Sequence, residues 1–301
     1  MLKIAYHPIY QHPLPEGHRF PMLKYELIPK QLLYEGIITE LNLFEPKPAA
    51  DEDILLTHAQ SYVNDLKSLS LDASHIRRIG FPLSQELISR EWILVQGTID
   101  AAIFALENGV ALNVAGGTHH AFANKGEGFC LLNDIAVAAN VLLHKKLVNK
   151  IAIIDLDVHQ GNGTASIFAK NPHVYTCSMH GKNNYPFHKE ASDLDIELED
   201  GTTDEVYLNL LENSLNKIFE KIKPDFVFYL SGVDILFTDK FGKLNISKEA
   251  CIGRDALVFE YSKKRQVPVA VAMGGGYSPN IKDIVEAHCN TFKMATSIFF
   301  N

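Results

Sequence analysis

Ile151-Ala152-Ile153-Ile154-Asp155-Leu156-Asp157-Val158-His159-Gln160-Gly161-Asn162-Gly163 opens as an apolar, β-branched run and closes on charge and glycine. The opening is that of a strand buried on both faces, the kind found inside parallel sheets. Alternate residues of an extended chain point the same way, so Asp155, Asp157 and His159 can converge on one point. Carboxylates and a neutral imidazole from one strand end furnish half of a zinc or iron site. The competing reading is a plain polar turn, but such a turn has no need of a carboxylate directly after four apolar residues.

Around this stretch, apolar runs alternate with helical periodicities. Strands are expected at residues 3–6, 53–56, 110–114, 151–154, 174–177, 226–230 and 267–273. Helices are expected at 23–35, 58–69, 84–106, 133–146, 164–169, 204–221 and 247–264, and in the C-terminal part. Ser84 is a good cap, and Asn108-Gly109 a good stop. Residues 70–82 and the acidic stretch before residue 204 read as loops. The alternation predicts βαβ units and an α/β fold, a mostly parallel central sheet with helices on both faces. No repeat or linker interrupts it, so residues 1–301 are expected to form one domain.

Composition narrows the function. A chain that is 47% hydrophobic and 21% charged has ample core for a soluble fold. A net charge of -8 argues against nucleic acid as a partner. No apolar run approaches a membrane span, and the start turns polar too early for a signal peptide. Cys130, Cys177, Cys251 and Cys289 form no C-x-x-C pair, which fits a reducing compartment, and a cytoplasmic location is expected. Nothing in the sequence signals an oligomeric state.

In a parallel sheet the functional strand ends are the C-terminal ones, all on one edge. Four expected strands end in unusual residues: Gly116-Gly117-Thr118-His119-His120, the Asp155/Asp157/His159 array, Ser231-Gly232-Val233-Asp234, and Gly274-Gly275-Gly276-Tyr277. Asp234 would complete a site of two carboxylates and one histidine. Three protein ligands leave room for water and substrate, as a catalytic zinc requires. Adjacent imidazoles at His119-His120 suit acid–base work beside such a metal. Tyr277 is placed to polarise a carbonyl. Gly126-Glu127-Gly128-Phe129-Cys130 reads as pocket wall; Cys130 could also be a nucleophile, though a small wall residue fits it better. Seven other histidines (His7, His12, His58, His75, His144, His173 and His288) read as packing residues.

Together, Gly116 to Ala121 (Gly-Gly-Thr-His-His-Ala), Gly128 to Cys130 (Gly-Phe-Cys), Asp155 to Gly163, Ser231 to Asp234 and Gly274 to Tyr277 resemble the histone deacetylase superfamily, in its order and over roughly residues 3 to 295. Gln160-Gly161-Asn162-Gly163 is similar to the class IV branch and its bacterial relatives. The resemblance implies an arginase-like α/β fold and metal-dependent hydrolysis of an acyl-lysine or of a small acylated amine. It implies zinc, with iron as the alternative in the cell, on Asp157, His159 and Asp234. His120 would be the general base, backed by Asn162, and His119 its electrostatic companion, oriented by Asp155. Tyr277 would polarise the carbonyl. Gly128, Phe129, Tyr185, Gly275 and Gly276 would line the substrate channel. A potassium ion would sit at Asp155, Asp157, His159 and Ser178. Arg19 resembles an arginine near the family's product-exit route. Asn162 departs from the larger branches, which carry an aspartate there. Two other functions compete: a dinuclear ureohydrolase of the arginase type, which needs more aspartates than Gln160-Gly161-Asn162 and Ile235-Leu236-Phe237 offer, and a catalytically silent acyl-lysine binder.

Overall fold

The structure, a computed structural model, describes residues 1–300. In chain order the elements are β1 (Lys3–Ala5), α1 (Lys24–Tyr34), β2 (Leu43–Phe44), α2 (Asp51–Leu55), α3 (Gln60–Lys67), α4 (Ala73–Ile79), α5 (Gln85–Asn108), β3 (Val110–Asn113), α6 (Asp134–His144), β4 (Ile151–Asp155), α7 (Asn162–Phe168), β5 (Val174–Gly181), β6 (Leu194–Leu198), α8 (Asp204–Lys217), β7 (Phe226–Ser231), α9 (Lys248–Arg265), β8 (Val269–Met273) and α10 (Ile281–Phe300). Eight strands form one sheet in the order β2-β1-β3-β8-β7-β4-β5-β6, and every pairing is parallel.

Burial explains the sequence pattern. All residues of β3, β4, β7 and β8 are buried, because helices cover both faces of the sheet. One helical layer is built on α5, which crosses β1, β3 and β8 and packs on α6. In the other, α10 joins α1 to α9, and α9 packs on β7 and α8. Ser84 Oγ accepts the Leu87 N–H as the N-cap of α5, and Gly109 closes its far end. No helix among the described residues is long and apolar enough to cross a membrane.

Three local expectations fail. Residues 53–56 are not a strand; α2 covers Asp51–Leu55, and its first turn is Asp51-Glu52-Asp53, whose charges favour a helix N-terminus. The loop expected over 70–82 contains α4, capped by Asp72 and ended by Gly80. The acidic stretch before α8 holds β6, an edge strand whose residues alternate between half-buried and exposed and so lack an apolar run. The two-residue β2, the opposite edge, is too short to leave a pattern. Helix α8 stops at Lys217 and continues as a π-helical turn over Ile218–Ile222.

The four strands with unusual ends, β3, β8, β7 and β4, are neighbours at the centre of the sheet. Their register aligns Asn113 with Ala272, Ser231 with Met273 and Asp155 with Leu230. The chain order breaks there, which opens a crevice above the strand ends.

Candidate metal centre and active site

Asp157 and His159 leave the end of β4, and Asp234 follows β7. One donor atom from each lies within 4.8 Å of the others. His159 Nδ1 is 2.9 Å from Asp157 Oδ1 and 3.1 Å from Asp234 Oδ2. Backbone donors fix both carboxylates: the Gly275 N–H reaches Asp157 Oδ2 at 2.7 Å, and the Val158 N–H reaches Asp234 Oδ1 at 3.0 Å. A side chain at Gly275 is excluded, since its Cβ would stand 1.9 Å from Asp234 Oδ2. Burial, and then the charge of Asp157, push Asp234 up to about 7. Burial opposes a charge on His159, but its hydrogen bonds to Asp157 and Asp234 outweigh this and push it up to about 10. Two buried carboxylates thus converge on a single imidazole. The donor set fits a divalent transition metal with open positions.

The two adjacent histidines are tuned in opposite directions. His119 Nδ1 is 2.7 Å from Asp155 Oδ2. Burial opposes its protonation, but the charge and hydrogen bond of Asp155 raise its pKa. His120 Nδ1 is 2.7 Å from Asn162 Oδ1, at the first residue of α7. Burial, and then the charges of His119 and His159, hold His120 well below the ordinary imidazole range. The loop carrying the pair hangs on Asp134, which accepts from the Thr118 N–H and Oγ and from Thr98 Oγ1. Burial and the nearby Asp157 and Asp234 keep the Tyr277 phenol protonated.

A cleft of about 420 Å³ leads to His120 and His159 between Gly128, Phe129, Tyr185 and Tyr277, with Arg19, Arg78, Lys243 and Phe241 around it. Beyond lies a chamber of about 40 Å³ reaching Tyr25, Arg90 and Gly117. Phe129 holds φ +67, a conformation rare for a bulky residue, and its N–H is tied to Ile79 O at 2.7 Å.

Several expected positions are redistributed. Gly275 lines the inner chamber and anchors Asp157 rather than walling the outer cleft. Gly276 lines neither cavity; it is packed against Val233 and Ile284. Ser178 sits beside Asp155 in the sheet register, its Oγ bonded to His180 Nδ1 at 3.0 Å, and lines neither cavity. Arg19 stands at the cleft, its guanidinium over Phe129 and Phe241, and does not reach the inner chamber. The buried cation nearer the centre is Lys24, which donates to Gly274 O at 2.9 Å. Cys130 is buried, and burial raises its thiol well above the ordinary range, which suits the wall residue that the sequence favours. His58 is a packing histidine, as expected, bridging Phe122 O and the Asn133 N–H.

Sequence reasoning missed Glu127, Asp134 and Lys24. A buried aspartate one residue into a helix leaves no pattern, and Lys24 reads as an ordinary helix-start lysine. Glu127 was lost in the pocket-wall segment, because its contacts are 35 and 58 residues away.

Fold and site thus give a parallel α/β protein with a buried Asp–His–Asp group that could hold a metal, beside two adjacent histidines at the strand ends. The histone deacetylase domain model matches residues 18–292. An uncharacterized protein of Picosynechococcus sp. is 42% identical over 98% of this chain and 99% of its own. Histone deacetylase 2 of Arabidopsis thaliana is 33% identical over 86% of this chain and 70% of its own. Among solved structures, a histone deacetylase homologue complexed with SAHA superposes with a TM-score of 0.85 at 26% identity, over 98% of this chain and 84% of that one. A homologue from Aquifex aeolicus, at 24% identity and a TM-score of 0.84, over 98% of this chain and 84% of that one, shares the fold. The chain belongs to the histone deacetylase family.

Proposed function

We propose that the protein is a metal-dependent deacylase that hydrolyses the amide of an acyl-lysine, in a peptide or protein, or of a small acylated amine. The observation that carries this reading is two adjacent imidazoles with different partners beside one Asp–His–Asp group: His119 Nδ1 lies 2.7 Å from Asp155 Oδ2, whose charge raises its pKa, and His120 Nδ1 lies 2.7 Å from the neutral Asn162 Oδ1, its pKa held low by burial. Asp157, His159 and Asp234 would hold zinc or, in the cell, iron, which when bound acts as a Lewis acid and lowers the pKa of water. Neutral His120 takes the proton of the attacking water at Nε2, the ring nitrogen that Asn162 leaves free. His119, whose pKa Asp155 raises against the effect of burial, favours the negative charge developing in the transition state. Tyr277 donates its phenolic hydrogen bond to the carbonyl oxygen. An imidazolium then gives a proton to the leaving amine. Phe129 and Tyr185 flank the alkyl chain of the substrate. The relatives' names and the SAHA complex support an acylated amine as the substrate class.

Among the described residues Asp157, His159 and Asp234 form the one group placed to hold a metal, which disfavours the dinuclear ureohydrolase alternative. Asp155 is committed to His119, and Asp239 to the N–H groups of Phe241, Gly242 and Tyr277. Protein reconstituted with zinc or iron, assayed on acyl-lysine peptides and acylpolyamines of differing acyl length, should release carboxylate in a chelator-sensitive way with about one transition metal per chain. Absence of turnover across the panel would overturn the reading, and binding without turnover would leave the silent binder. A potassium ion held through backbone and side-chain oxygens at Asp155, Asp157, His159 and Ser178 belongs to the same proposal and predicts potassium-dependent activity. So does a cytoplasmic location, supported by four buried free thiols and testable by fractionation.

A further inference from the structure

Behind the cleft wall, Glu127 is buried and Oε1 receives two hydrogen bonds: Asn162 Nδ2 at 2.8 Å and Tyr185 OH at 2.9 Å. Both donors go on to His120. Asn162 presents Oδ1 to His120 Nδ1, and the Tyr185 ring stands edge-on to the imidazole, with centroids 4.9 Å apart. The carboxylate is itself held in place. The Cys130 N–H donates to Glu127 O at 3.0 Å, the neighbouring Gly128 N–H to Arg78 O at 3.0 Å, and Lys125 Nζ is 3.5 Å from Oε2.

We infer that Glu127 is a positioning residue that fixes the tautomer of the base His120 by locking the orientation of the Asn162 amide. The inference rests on the deacylase reading above. A side-chain amide has two faces of similar shape, one accepting and one donating, and neighbours decide which way it points. A carboxylate only accepts, so the Asn162 NH₂ must face Glu127 and its oxygen must face His120. His120 Nδ1 is then the protonated nitrogen, and the Nε2 lone pair faces the cleft, where the water proton has to go. With the amide reversed, its NH₂ would meet Nδ1, the proton would move to Nε2, and the base would be blocked. An aspartate at position 162 needs no such lock, since either oxygen accepts. Burial and the charge of Glu127 raise the pKa of Tyr185, which keeps its phenol a donor to the same oxygen.

The test uses the full chain loaded with metal. Glu127→Met fills the space without accepting a hydrogen bond; Glu127→Ala, as a second variant, removes both. Each should lower kcat at least about tenfold, a fraction of what a general base contributes, with metal content unchanged. Adding Asn162→Asp to either variant should restore most of kcat on its own pH plateau, which a purely structural role for Glu127 would not do. In metal-free protein, ring ¹⁵N NMR should find His120 protonated at Nδ1 in the wild type. The signal is assigned by its loss in His120→Gln, and it should shift toward Nε2 protonation in Glu127→Met. Wild-type kcat and tautomer in both variants would overturn the inference, as would a loss that Asn162→Asp does not repair. If the wild-type chain turned over no acylated amine, the deacylase reading would fall, while the NMR result would still decide the role of Glu127.

Discussion

His159 Nδ1 stands between two carboxylates, 2.9 Å from Asp157 Oδ1 and 3.1 Å from Asp234 Oδ2. Without metal, a proton on that nitrogen is the cation that balances them. His159 is pushed up to about 10 and Asp234 up to about 7, so each binds its proton more tightly folded than unfolded. The stability from a raised pKa is complete below the unfolded value and lost as pH rises through the folded one. Metal-free protein should therefore melt at progressively lower temperature from neutral pH to about 10. A bound metal replaces the proton, so added zinc should flatten this dependence, and its affinity should rise about tenfold per pH unit for each proton displaced. Melting curves with and without zinc across that range check it; a metal-free Tm that rises with pH would contradict the account.

The same triad predicts what each carboxylate contributes. Asp157→Asn and Asp234→Asn each remove an anionic donor while keeping the side-chain shape. Both should lose metal occupancy and activity together. Full zinc content with normal turnover in either variant would remove that residue from the centre.

In the proposed reaction Tyr277, which lines the cleft, acts on the carbonyl without holding metal. Its phenol stays neutral, as burial and the carboxylates Asp157 and Asp234 dictate. Tyr277→Phe should bind zinc and melt like the wild type while losing roughly a hundred- to a thousandfold in kcat. A kcat within about fivefold of wild type, about 1 kcal/mol of barrier, would make Tyr277 a packing residue.

Gly128 is constrained twice. It holds φ +57, and a Cβ there would stand 2.7 Å from His120 Cδ2. Gly128→Ala should cost about 1–2 kcal/mol of stability from the left-handed backbone alone. It should also lower kcat beyond what that predicts, by displacing the base. Chemical denaturation and kinetics on one preparation separate the two effects.

How much of this was legible in the sequence depended on the distance over which each signal acts. Asp155, Asp157 and His159 could be read because alternation along one strand is a local rule, and the ends of β3, β7 and β8 because parallel strands share an edge. Register then brought Asp234 to His159 without further information. The helix at Asp51–Leu55 was misread as a strand because an apolar Ile54-Leu55-Leu56 has no helical period at that length. The edge strand Leu194–Leu198 was missed because only one of its residues is buried. Glu127 was invisible for another reason: its role exists only once the loop after His120 folds back over α7, and no local rule pairs residues 127 and 162.

That pairing changes what Asn162→Asp should do. An amide at position 162 orients His120 without adding charge, and His120 lies well below the ordinary range through burial and the charges of His119 and His159. A carboxylate there would favour the imidazolium and raise the pKa of His120. The acid limb of kcat/KM reports the essential base in the free enzyme, so it should move to higher pH, with activity lost first at the acid end. Glu127 opposes the full effect. Its Oε1 lies 2.8 Å from Asn162 Nδ2, and two carboxylates that close retain a proton between them, which removes much of the added charge. Asn162→Asp alone should therefore move the limb modestly. Asn162→Asp combined with Glu127→Met, which leaves one unshared carboxylate, should move it further in the same direction, at unchanged metal content. A limb at the same pH in all three proteins would mean that His120 is not the base whose protonation it reports; a larger shift in the single variant than in the double would mean that Glu127 does not share a proton with position 162.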